Sequence, residues 1–138
     1  MSNLPDSTEV LIIGGGIVGC SIAYHLTKLG IKDVVLLEQN QLTAGTTWHA
    51  AGLVGQLRAT ANLTHLARYT TELFAGLEQE TGRATGYRKT GSLSVALNTE
   101  RLEELNRQAS TARAFGIEVE QISGADVASH WSDINIED

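Results

Sequence analysis

The sequence predicts an α/β fold built on a parallel strand–helix–strand unit, and three observations carry that prediction. Two apolar runs, Val10-Leu11-Ile12-Ile13 and Val34-Val35-Leu36-Leu37, each have the length and β-branched content of one buried strand. Between them lie Gly14-Gly15-Gly16-Ile17-Val18-Gly19 and an amphipathic stretch that reaches Leu29. Glu38 closes the second run, nineteen residues beyond Gly19. A glycine turn leading from strand to helix, with an acid at the tip of the next strand, is the pattern of a dinucleotide-binding βαβ unit. The same glycines in an ordinary turn would lack that flanking context.

Residues 1 to 8 read as an exposed lead-in, with Pro5-Asp6-Ser7 as a turn signal. The first strand is expected over Glu9 to Ile13. Gly14 lets the chain turn sharply, and Gly16 lets backbone N–H groups approach a pyrophosphate. Gly19 lets the helix lie close to the sheet, and the helix N-terminus adds partial positive charge. Gly19, Ala23 and Leu26 share the face that should meet the strands, while Lys28 and Gly30 suit the helix end. Cys20 reads as a small packed filler and His25 as a packing or surface histidine. Glu38 is placed to accept hydrogen bonds from ribose hydroxyls. An acid there favours an unphosphorylated ribose, hence FAD or NAD over NADP.

Beyond Glu38 the periodicity lapses. Residues 39–55 form a long loop of threonines, glycines and other small residues, and long loops inside compact domains tend to be functional. A helix is expected from Leu63 to about Glu80 with Asn62 as its N-cap and Leu63, Leu66, Ala67, Leu73, Phe74 and Leu77 on the apolar face. Gly91 to Leu97 alternates at period two and predicts a strand, as does Ile117 to Ile122. Between them a charged helix, Glu100 to about Phe115, follows a cap at Asn98 or Thr99 and turns Leu102, Leu105 and Ala109 inward. Ser123 caps a short helix, Ala125 to about Ser129.

Composition narrows the function classes. The 138 residues carry a net charge of −6 and no basic stripe, which disfavours nucleic acid as a partner. One cysteine allows no internal disulfide. Met1 to Glu9 holds no lysine or arginine, unlike a secretory or mitochondrial targeting segment, so a cytoplasmic location is expected. The apolar stretch from Val10 to Ala23 is short and broken by glycines, so no membrane span is expected.

The run Thr43-Ala44-Gly45-Thr46-Thr47-Trp48-His49-Ala50-Ala51-Gly52-Leu53-Val54-Gly55-Gln56-Leu57-Arg58, following the glycine turn and Glu38, closely resembles the dimethylglycine and sarcosine dehydrogenases. These are FAD enzymes of the D-amino-acid-oxidase-like superfamily. The resemblance extends to Gly91–Ala96, to the helix that begins Glu100-Arg101, and to Phe115-Gly116-Ile117-Glu118. Trp131-Ser132-Asp133 departs from the family's Pro-Leu at the corresponding point. It implies a Rossmann-type FAD-binding unit at 8–38, a flavin loop at 39–62 and the beginning of an α+β substrate domain at 87–138. At this length the chain would be the N-terminal portion of a family member.

The same resemblance implies a cofactor-binding set of Gly14, Gly16, Ile17, Gly19, Glu38, Gly45, Thr46, Thr47, His49, Gly52 and Leu53. The family's equivalent of His49 carries the flavin covalently, through an imidazole nitrogen on the 8α carbon. The implied reaction is oxidative N-demethylation of a small N-methylated amino acid, with a hydride equivalent passing to the flavin. Tetrahydrofolate and an electron-transfer flavoprotein are the implied partners, and no residue of this stretch is singled out as catalytic. Trp48 reads as packing beside the flavin; Arg58 either offsets charge on the reduced flavin, meets a substrate carboxylate, or is structural. His65 and Arg68 read as structural. Two other readings remain: a different flavin oxidase of the superfamily, and a non-catalytic nucleotide-binding remnant.

Overall fold

The computed structural model describes residues 4–136. Its elements are β1 (Val10–Ile13), α1 (Ile17–Lys28), β2 (Val34–Leu37), a 3-10 turn (Thr46–His49), α2 (Ala61–Thr81), α3 (Thr99–Ala114) and α4 (Gly124–His130). The chain divides into two compact units between Leu53 and Val54. Residues 39–53 of the long loop therefore belong with the βαβ unit, and the segment leading to α2 belongs to the second.

In the first unit β1 and β2 pair in parallel, from Val10 opposite Val34 to Ile13 opposite Leu37. Parallel neighbours need a crossover, and α1 supplies it. Ile12 is the buried residue of β1. Gly19 is the buried residue of α1, and a Cβ there would collide with the Gly14 carbonyl oxygen and press on Ile12 Cγ2 at 3.3 Å. Its missing side chain is what lets the helix start against the strand. At the other end Gly30 takes φ +92, and the N–H groups of Leu29, Gly30 and Ile31 return to the carbonyls of His25, Thr27 and Leu26. The last turn of α1 is thereby closed as the glycine position predicts.

The second unit departs from expectation in its caps and its buried stripe. The N-cap of α2 is Thr60, whose hydroxyl accepts the Leu63 N–H at 3.3 Å; Asn62 lies inside the first turn. The residues of α2 that become buried are Thr64, Ala67 and Thr71, whereas Leu63 and Leu66 stay 50% and 61% exposed. The hydroxyls explain the choice. Thr64 accepts the Arg58 N–H at 3.0 Å and donates to the Arg58 carbonyl at 3.3 Å, while Thr71 accepts from Gln56 Nε2 at 2.9 Å. Extended backbone laid against a helix needs such partners, and leucines cannot supply them.

Asn98 caps α3 through Oδ1 to the Arg101 N–H at 2.8 Å. Ala112 is its buried residue, while Leu102 remains 43% exposed. Ser123 caps α4 in a reciprocal box with Asp126. The Ser123 hydroxyl and N–H hold the Asp126 carboxyl below its ordinary range. The strands expected at 91–97 and 117–122 do not form: among the described residues β1 and β2 make the one sheet. Alternation reports which side chains could be buried, but a strand also needs a neighbour to complete its hydrogen-bond ladder. No helix of the described residues is long and apolar enough to cross a membrane.

Candidate cofactor site

The site grows from the turn between β1 and α1. Gly14 sits at φ +105, a region L side chains rarely enter, and its N–H donates to the Leu37 carbonyl at 2.8 Å. That bond fastens the glycine turn to the tip of β2, where Glu38 begins the return. The Glu38 carboxylate accepts the Gly15 N–H at 2.7 Å through Oε2 and the Asn40 N–H at 2.9 Å through Oε1. The Asn40 N–H, and next the Gly15 N–H, hold this carboxyl below its ordinary value. Each of its oxygens keeps a second lone pair, so the acid can still accept from a diol while anchored.

The loop then folds back over the turn. The Thr43 N–H donates to the Gly15 carbonyl at 2.9 Å, and Leu42 lies so near that a Cβ on Gly15 would meet its Cδ2 at 2.5 Å. Thr43 adopts φ +67, the left-handed region, where a β-branched side chain is strained. Further along, Thr47 Oγ1 accepts the Ile17 N–H at 2.9 Å, and a Cβ on Gly16 would meet that oxygen at 3.0 Å. The fold thus brings together Gly14, Gly16, Ile17, Gly19, Glu38 and Thr47. Gly15, Leu42 and Thr43 join them without having been singled out. The apolar Leu42 within a polar loop was a legible signal, and the left-handed turn at Thr43 had none.

Thr46 opens the 3-10 turn and His49 ends it. The His49 ring stacks at a tilt on Trp48, centroids 4.1 Å apart, and its Nδ1 lies 3.3 Å from the Gly45 carbonyl oxygen. A carbonyl only accepts, so in this contact Nδ1 is the donor. His49 is exposed. Gly52, at φ +77, and Leu53, 89% exposed, end this unit, and among the described residues no hydrogen bond ties either of them to the glycine turn. Cys20 points its Sγ at the Gly15 carbonyl oxygen, 3.5 Å away, in the filler role its position suggests. In the second unit, Arg58 donates to the Leu57 carbonyl at 3.1 Å and borders two grooves. One, of about 210 Å³, also has Leu63 and Thr70 on its walls; the other, of about 570 Å³, has Glu104 and Arg107.

These features fit a dinucleotide on structural grounds. A left-handed glycine makes the turn, Gly19 lets the helix start close against the strand, and an ionised acid stands at the strand tip.

Comparisons with known proteins agree. Residues 9–136 match the family described as FAD dependent oxidoreductase. The chain is 43% identical to the mitochondrial sarcosine dehydrogenase of Mus musculus over 98% of its own length and 15% of that protein's. It is 48% identical to the mitochondrial dimethylglycine dehydrogenase of Rattus norvegicus over 75% of its length and 12% of the relative's. To the mitochondrial pyruvate dehydrogenase phosphatase regulatory subunit of Mus musculus it is 44% identical, over 98% of its length and 15% of that protein's. The chain thus spans less than a sixth of the length of these relatives. Among solved structures, the L-amino acid deaminase from Proteus vulgaris shares the fold, with a TM-score of 0.77 at 22% identity over 90% of this chain and 30% of that one.

Proposed function

The chain belongs to the FAD-dependent oxidoreductase family, and from that premise we propose that it is the cofactor-binding segment of an enzyme that oxidises a small N-methylated amino acid of the sarcosine or dimethylglycine type. The observation that carries this reading is the convergence of the glycine turn, Glu38 and the Thr46–His49 turn on one helix N-terminus. Likeness to a sarcosine and a dimethylglycine dehydrogenase supports the substrate class. FAD, when bound, would supply the redox chemistry as acceptor of a hydride equivalent from an N-methyl carbon.

The chain's own residues bind and orient. Backbone N–H groups at Gly16 and in the first turn of α1 beyond Ile17 would hold the pyrophosphate, while the missing side chains of Gly16 and Gly19 make room for Thr47 and for the strand. Glu38 accepts from the adenosine ribose hydroxyls with the lone pairs its tethers leave free. Gly45, Thr46, Gly52 and Leu53 belong to the loop that would line the bound cofactor. His49 would carry the flavin covalently through Nε2, the ring nitrogen turned away from the Gly45 contact. Tetrahydrofolate takes up the released one-carbon unit and an electron-transfer flavoprotein the electrons.

The test uses the full-length polypeptide. Acid denaturation and digestion should leave a yellow peptide containing Trp48-His49, heavier by one FAD, and the protein should reduce an artificial dye with sarcosine or dimethylglycine. Flavin released wholly into the supernatant would reduce His49 to a non-covalent contact. A second reading, a flavin-binding regulatory protein without turnover, is favoured by the likeness to a phosphatase regulatory subunit. Loaded flavin that no N-methyl amine reduces would select it.

A further inference from the structure

The 3-10 turn that ends in His49 is a single turn, and one turn of this kind does not hold its own position. Thr46, Trp48 and His49 are exposed, and Thr47 is its half-buried member. Thr47 also makes the bond that reaches out of the turn, accepting the Ile17 N–H at 2.9 Å. Ile17 opens α1, so its N–H is one of the helix donors with no partner inside the helix. Gly16 permits the approach, since a Cβ there would sit 3.0 Å from the same hydroxyl oxygen. Two residues on, His49 is held among the described residues by a long contact to Gly45 and by the Trp48 ring.

Taking His49 as the point of flavin attachment, we propose that Thr47 is the positioning residue for that attachment. Its hydroxyl pins the turn to the start of the glycine helix and so fixes where His49 Nε2 stands. Attachment forms one bond from Nε2 to a ring methyl carbon. The methyl and the imidazole each give up a hydrogen, and dioxygen takes both with their electrons as hydrogen peroxide. Bond formation of this kind needs the reacting atoms held within about 3–3.5 Å, so small losses of position are costly. Thr47 touches neither reacting atom; it acts through the turn. A role confined to capping α1 would show as lost stability, with attachment unchanged once FAD is bound.

The experiment follows full-length apoprotein after addition of FAD in air, measuring total bound flavin and acid-stable flavin against time. With the rate taken per bound flavin at saturating FAD, Thr47→Val and Thr47→Ala should attach it at least about tenfold more slowly than the unaltered protein. Thr47→Ser, which keeps the acceptor, should restore the rate to within about threefold. Unaltered attachment in both Thr47→Val and Thr47→Ala would overturn the assignment. So would failure of Thr47→Ser to restore it, or loss of FAD binding in all three variants. His49→Ala separates the two levels. Acid-stable flavin persisting in that variant, or absent from the unaltered protein, would sink the attachment reading itself and the role of Thr47 with it.

Discussion

Gly19 and Glu38 show how single side chains, one missing and one charged, shape the site. Adding a methyl at Gly19 drives it into the Gly14 carbonyl, a backbone atom that cannot swing aside. Gly19→Ala should therefore cost roughly 1–3 kcal/mol or more, read by chemical denaturation of the full-length protein. An unchanged midpoint would mean the helix sits farther from the strand than described. Glu38 has a depressed folded-state value relative to its ordinary 4.5, set first by the Asn40 N–H and then by Gly15. For a depressed acid the stabilisation is complete above the unfolded value and is lost as pH falls through the folded one. The tethers thus hold at neutral pH and release only in acid below 4.5. The Gly15 amide resonance should shift with a midpoint below that value and lose its titration in Glu38→Gln; a midpoint at or above it would contradict the geometry. Glu38→Ala, with His49→Ala removing any covalent tether, should weaken FAD retention by roughly tenfold or more, the scale of a charge-assisted hydrogen bond. Equal flavin loading would remove Glu38 from the ribose.

Helix ends and strands were unequally legible, for physical reasons. Ser123 stands directly before an uninterrupted helical pattern, so its cap could be read from the chain, whereas the reading before α3 left Asn98 and Thr99 both open and the structure selects Asn98. Before α2 the sequence offers Thr60 and Asn62 two residues apart, both good caps. The choice falls to Thr60 because Thr64 must bind both backbone groups of Arg58, which starts the helix early. The same bonds explain why the leucine stripe misjudged the buried face. Thr60→Ala should cost about 1 kcal/mol, whereas Asn62→Ala, inside the first turn, should lie within about 0.5 kcal/mol of neutral. Thermal denaturation of the two variants side by side decides it, and the reverse order would restore Asn62 as the cap. The βαβ unit was legible almost to the residue because glycine geometry and strand length are local. The fold-back of residues 42–47 onto the turn was not, since it rests on a left-handed threonine and on hydroxyl contacts that no periodicity encodes.

The whole molecule leaves much of its apolar side-chain surface in water. Among the described residues the buried hydrophobic side chains are Ile12, Ala67, Ala112 and Val127, two of them alanines. Ile13 is 82% exposed at the tip of β1, and Leu97 is 89% exposed. Hydrophobic content of 42% shows that a core is affordable but not that these side chains bury one another. Burial contributes about 25 cal/mol per Å², while ordering each residue costs about 1–2 kcal/mol, so a chain that buries so little cannot hold itself firmly. The 138 residues as an isolated polypeptide should keep helical far-UV circular dichroism, since α2 and α3 carry their own caps. They should melt over a broad range and bind a hydrophobic dye strongly, the behaviour of a loosely packed state. A sharp two-state transition of the isolated 138 residues near the usual range of about 45–65 °C, without dye binding, would show that Ile12 and its few buried companions suffice.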